Sequence, residues 1–432
     1  MPVQLLSGES VSAQDLDLVR KLVLKLGGYA EGLFQFHDFG FDREILRNHI
    51  SAVYEQLTAL RGASDGPFIV LKPPGLPEGA VWDDAGESWN YLQTLRLAAG
   101  AIMISRKYQS CMRIENLWKS TTAKILHKCQ IGILDDVIDR GDYNYLEAKE
   151  LHHLVLSSMI DPRFDSNVFM RRLMSTLKQK DVELFEPMTR ITKNFNQLYN
   201  SAPHGSDFFY QMEILDERIA LGEALTMFQK ENMLNLETME KISTGFYAPY
   251  DDLAWHEKLG AHISPASRYN FIDMAFCDKL IDISRLSNFM SGWYYYDAAI
   301  ILMDHVVNIY QDLRNGIANL SLISMREGEL QGRETLRNYN PRLSLDDYER
   351  HLARIASLAS RGIQLVTRDV EDTEMFYPFI TLMMPVVVMA DWIGSRDDMI
   401  HMYLRGIAPA IRKVAHKTQE PVSVQQAIQP AV

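Results

Sequence analysis

Thr121-Thr-Ala-Lys-Ile-Leu-His-Lys-Cys-Gln-Ile-Gly-Ile-Leu-Asp-Asp-Val-Ile-Asp139 is an apolar stretch that ends in three carboxylates. Its apolar residues recur at three- and four-residue spacing, the pattern of a helix with one buried face. Asp135 and Asp139 therefore share a face, separated by about 6 Å of helical rise, with Asp136 beside them. Three carboxylates this close repel one another and need protons, bases or metal to neutralise them. Arg140 could neutralise one. Oxygen ligands without imidazole or thiolate suit Mg²⁺ better than zinc. The plainer alternative is a solvated acidic helix end, which the helix dipole disfavours.

A second oxygen-bearing set lies far downstream. Asp304, Asn308 and Asp312 are spaced four and four. A helix drifts about 40° per such step, so all three stay on one flank over about 12 Å. The preceding residues, Trp293 to Met303, are almost uncharged. Polar groups emerging from so apolar a helix cost stability unless something pairs with them.

Helical periodicity also marks 14–26, 43–61, 90–119, 166–198, 208–233, 268–290, 293–326, 345–368 and 378–415. Phe68 to Lys72 is the one short strand-like run. These readings predict an all-α protein, a single large helical bundle around a central cavity. Residues 1–89 form a helical extension packed on a main domain over 90–418, and 419–432 a frayed tail. The Pro/Gly-rich stretch 73–79 divides the first two. Asp83-Asp84 has an acidic look, but no long apolar helix leads into it, so it reads as a loop.

Composition narrows the function. The chain has 432 residues, 47% hydrophobic and 23% charged, which describes a globular protein. A formal charge of −12 argues against nucleic acid as a partner. An acidic protein that binds an anion needs metal or a local basic cluster. Cys111, Cys129 and Cys277 are scattered without zinc-type spacing, and a reducing, cytoplasmic setting is expected. Phe376 to Ala390 is uncharged but contains Pro378 and Pro385 and is shorter than the ~20 residues of a spanning helix. No membrane span is expected, and a homodimer is left open.

At this point the chain resembles the class I terpene synthases. They carry a DDxxD motif and a later Asn/Asp, Ser/Thr, Glu triad at four-and-four spacing. Asp135, Asp136 and Asp139 match the first motif in full. Asp304 matches the first triad position, while Asn308 stands for the usual hydroxyl and Asp312 for the usual Glu. Gly316 and Asn319-Leu320 follow in the order seen in bacterial-type members, and Trp392-Ile393-Gly394 precedes Arg405 at a similar interval. Gly406 stands where the family has a Tyr after that Arg. The resemblance covers roughly residues 90–415.

It implies the class I terpenoid synthase fold and a cyclase that ionises farnesyl or geranylgeranyl diphosphate. About three Mg²⁺ ions would act as Lewis acids on the leaving diphosphate. Asp135, Asp136, Asp139, Asp304, Asn308 and Asp312 would be the metal ligands. Asp135, Asp139 and Arg405 would be catalytic. Arg405, with Lys258, Arg268 and Arg314 behind it, would bind diphosphate. Trp293, Tyr296, Ile300 and Ile131 would line a dry pocket where aromatic faces stabilise a carbocation. Two rivals stay open: a squalene- or phytoene-synthase-like transferase, for which Gly316 falls where a carboxylate is needed, and an inactive helical binding protein.

Overall fold

The computed structural model describes residues 108, 111–140, 143–227, 236–285, 287–330, 339, 341, 343 and 345–369. Of the described residues 81% are helical and none lies in a strand, so the all-α class holds. The 1–89 extension, the 376–390 stretch, Trp392, Arg405 and the 419–432 tail lie outside the described residues.

The helices run in chain order as α1 (Ile114–Arg140), α2 (Tyr145–Ile160), α3 (Ser166–Thr176), α4 (Phe185–Asn200), α5 (Phe209–Thr226), α6 (Leu236–Thr244), α7 (Trp255–Ile263), α8 (Ala266–Phe276), α9 (Ser287–Asn315), α10 (Leu320–Leu330) and α11 (Leu345–Asp369). Caps fix several starts. The Asn144 side chain accepts from the Glu147 N–H while Glu147 accepts from the Asn144 N–H, a reciprocal capping box that opens α2. Asp165 caps α3 through the N–H groups of Asn167 and Val168.

The centre of the bundle is α9. Residues Trp293 to Ala299 along it are all buried, and a helix apolar on every side must be enclosed by others. It packs most extensively against α11, then against α7, α10 and α8, and touches α1. On α11 the buried apolar residues include Leu352, Ile355, Ala356, Leu358, Ala359 and Leu365, with the polar Asp347, His351 and Ser360 buried beside them. A second layer joins α1 to α4 and α8, and α2 to α4 and α5. Each fully buried aromatic or aliphatic side chain contributes roughly 1.5–3 kcal/mol.

Three long helical segments of the sequence are broken here, each for a local reason. The 166–198 segment ends at Thr176 and passes through a 3₁₀ turn, Gln179–Leu184, before α4. Pro187 sits in the first turn of α4, where its ring would clash with a helix continuing from upstream. The 268–290 segment stops at Phe276, and the Asp278 N–H bonds the Cys111 carbonyl instead. The 293–326 segment breaks at Gly316, which has φ 74°, a left-handed conformation that glycine adopts without a Cβ penalty.

Candidate functional site

That glycine break shapes the acidic flank of α9. The Ile317 N–H bonds the Asp312 carbonyl at 2.9 Å and the Gly316 N–H bonds the Leu313 carbonyl at 3.4 Å, the paired closure of a Schellman motif. The chain then folds back on itself. Asn319 donates through Nδ2 to the Asp312 carboxylate and to the His305 carbonyl, both at 2.7 Å. The Leu320 N–H donates to His305 Nδ1 at 2.8 Å, which leaves that ring neutral with its proton on Nε2. Burial holds His305 down at about 4, against the pull of Asp304. The same turn is tied to α5, because the Ala318 N–H bonds the Thr226 carbonyl.

Within the flank, Asn308 donates to Asp304 Oδ2 at 3.0 Å, so these two side chains share one side of α9 as their spacing requires. Asp304 is exposed and Asp312 is 7% exposed. Burial pushes the Asp312 carboxyl well up; Asn319 opposes this, and the charges of Asp304 and Asp135 add to it. Asp135 reaches the site from α1, where it is exposed. The two acidic patches, more than a hundred residues apart in sequence, are thus within electrostatic range of each other.

A third helix contributes a carboxylate that motif reading passed over. Glu223 lies in the last turn of α5. Burial raises its carboxyl well above the ordinary range, followed by the charge of Asp135; Lys128 opposes the shift and Asp304 adds to it. Sequence offered little to mark it out, since Glu213, Asp216 and Glu217 stand on the same helix. Gly222 beside it lets α5 approach α7, since a Cβ there would lie 2.9 Å from Ile263.

Other proposed residues are dispersed. Asp136 and Asp139 belong to α1 and Arg314 to α9, but their side chains are outside the described set. Lys258 is half-buried on α7. Trp293 and Tyr296 are fully buried and meet edge to face at 4.8 Å; Ile131 is buried and Ile300 half-buried. Arg268 is fully buried, paired with Asp216 at 2.8 Å, and donates at 2.6 Å to His127 Nε2. Its guanidinium also lies over Phe195 and reaches the Leu156 carbonyl, so it joins α8 to α1, α2, α4 and α5. A second buried pair, Lys124 with Asp273 at 2.9 Å, joins α1 to α8, with Ser120 donating to the same carboxylate. Burial lowers Lys124 to about 8 while Asp273 holds it up.

Asp135, Glu223, Asp304, Asn308 and Asp312 offer only oxygen atoms. Raised carboxyls among like charges mark a place where a hard cation would relieve repulsion, so the donor set fits Mg²⁺. Among the described residues, no three acidic, histidine or cysteine side chains close around a single point. No family model matches the chain, and no curated protein matches it either.

Proposed function

We propose that this chain is a Mg²⁺-dependent terpene cyclase of the class I terpenoid synthase fold. Its substrate would be a linear prenyl diphosphate, farnesyl or geranylgeranyl, and its products a cyclised hydrocarbon skeleton and free diphosphate. One observation carries the reading: Asp135 of α1 and Asp304 and Asp312 of α9 sit within electrostatic range of one another and of Glu223. A facing pair of oxygen-only patches is what an anionic, metal-bridged leaving group requires of an acidic protein.

The carboxylates of Asp135, Asp304 and Asp312, with the Asn308 oxygen, would hold the ions. When bound, the ions supply Lewis acidity to the departing diphosphate. The allylic C–O bond then breaks heterolytically, its electron pair leaving with diphosphate. A chain double bond attacks the allylic cation to form the new C–C bond, and proton loss ends the sequence. Asp136 and Asp139 complete the first patch by sequence, and Arg405, Lys258 and Arg314 are the bases assigned to the diphosphate. Arg268 belongs less readily to that group, because its guanidinium N–H groups already serve Asp216 and His127. Trp293 and Tyr296 supply aromatic faces of the kind that stabilise a cation by about 0.5–2 kcal/mol.

The test is incubation of purified protein with C10, C15, C20 and C25 prenyl diphosphates and Mg²⁺, reading both diphosphate release and extracted products by mass spectrometry. Cyclic products that vanish in excess EDTA are expected. Absence of diphosphate release from every substrate would overturn the enzyme reading. Products that appear only with added isopentenyl diphosphate, or head-to-head condensed products, would replace cyclisation by transfer.

A further inference from the structure

On the opposite face of α9 from Asp304, a polar cleft of about 230 Å³ opens between α9, α11 and the loop before α7. Asp252, Tyr295, Arg354, Ser357, Arg361 and Gln364 are among its lining residues. It is smaller than the ~300–1,000 Å³ of sites for drug-sized ligands, so its occupant must be small. Four of these residues, Arg354, Ser357, Arg361 and Gln364, recur at three- and four-residue spacing and line one face of α11.

The two arginines are held differently. Arg354 is bound bidentately to the buried Glu257, at 2.6 and 2.7 Å, and donates to the Asp252 carbonyl. Its position is fixed and its charge largely balanced. Arg361 has no carboxylate within ion-pairing distance among the described residues. Its guanidinium carbon lies 5.3 Å from the centre of the Tyr250 ring, a cation–π contact that uses no N–H group. One edge bonds Tyr295, whose hydroxyl in turn donates to Asp252. The Arg361 Nε–H is buried and has no hydrogen-bond partner among the described residues. A guanidinium with no carboxylate partner lacks a charge-assisted hydrogen bond, which an oxyanion in the cleft would supply to its terminal N–H groups.

We propose that this cleft binds a small phosphate-type oxyanion through Arg361, with the Ser357 hydroxyl as a further donor and Arg354 behind it. The site is separate from the acidic flank and does not depend on metal. Asp252 is the one carboxylate of the lining among the described residues and weakens binding.

The test is calorimetric titration of the full chain with inorganic phosphate, and in a second arm with glycerol 3-phosphate, in buffer containing EDTA. Saturable binding is expected, weakened at least tenfold by Arg361→Gln and by Ser357→Asp. Asp252→Asn should tighten it severalfold and Asp304→Asn leave it unchanged. Ser357 is half-exposed on α11, so its substitution keeps the test valid if Arg361→Gln fails to fold. Preference for either ligand supports the site and says whether free phosphate or a phosphorylated small molecule is the better occupant. Failure of both ligands to saturate by roughly 10 mM, unchanged affinity in the folded cleft variants, or loss of binding in Asp304→Asn would overturn the proposal. The cyclase assay reads none of these quantities, so either proposal can fail alone.

Discussion

Glu223 concentrates the electrostatic cost of the acidic site in one side chain. Its carboxyl is raised by burial and by Asp135 and Asp304, so the folded state holds its proton at pH values where the unfolded chain has lost it. The sign follows: the stability this proton contributes is complete below the unfolded value and is lost as pH rises towards the folded one. Glu223→Gln removes that loss. Because the group is only partly buried, the gain is discounted to about 1 kcal/mol, a rise in Tm of roughly 1–2 °C in a chain of this length for the metal-free protein at pH 8, shrinking towards pH 4. Thermal melts across that range check it. If Glu223 also supports cation binding, the same variant should raise the Mg²⁺ concentration for half-maximal diphosphate release. Equal melting curves at every pH would place Glu223 outside the carboxylate group.

Among the elements, the α9–α10 turn and the α8 junction make opposite demands. Gly316 must be left-handed for the turn to bring Asn319 onto Asp312. Gly316→Ala should cost about 1–2 kcal/mol in urea unfolding, with a further loss of Mg²⁺ response as Asp312 loses its fixed partner. At the α8 junction, Arg268 and Asp216 form a pair with neither partner more than 1% exposed. Burial pushes Asp216 up to about 7 even with Arg268 pulling it back, so the carboxylate depends on its partner. Arg268→Leu strands a buried acid and should destabilise by about 3–5 kcal/mol, while adding Asp216→Leu should recover most of it. Were Arg268 a diphosphate ligand instead, the single variant would keep near wild-type stability and lose substrate affinity.

For the molecule as a whole, pH dependence should be carried by buried acids rather than by surface charge. Asp297 on α9 accepts from Ser264 at 2.8 Å and from Ser267, joining the central helix to the α7–α8 turn. Burial lifts its carboxyl from 3.8 to about 7, against the pull of those hydroxyls. Its folded value exceeds its unfolded one, so its contribution to stability is lost between about pH 4 and 7 as pH rises. One proton gives a slope of up to about 1.4 kcal/mol per pH unit in that window. Asp297→Asn should flatten the curve there, since the amide can accept from one serine through its oxygen and donate to the other through Nδ2. Denaturant midpoints at pH 4.5, 5.5, 6.5 and 7.5 provide the measurement, and parallel curves for variant and wild type would count against this assignment. Among the described residues, no helix is long and apolar enough to cross a membrane.

The sequence by itself determined what helix geometry makes local. Apolar spacing gave the all-α class, and a period of 3.6 residues put Asp304 and Asn308 on one side of α9. Gly316 stood out only as the glycine after the triad, and apolar spacing carried one helix through it from 293 to 326, where the Schellman bonds end α9. Pairing between distant elements was decided only by tertiary structure. Glu223 comes within electrostatic range of Asp135 and Asp304, near where the α9–α10 turn is tied to the end of α5, and no spacing along α5 encodes that tie. Arg268 read as a candidate diphosphate ligand by resemblance, and only the packing of α8 among four neighbours buried it against Asp216. Arg361 likewise became a candidate ligand-binding group only when α11 was laid along α9. The physical reason is the same in each case: a side chain's face is set by its own helix, but its charge, burial and partners are set by helices far away in sequence.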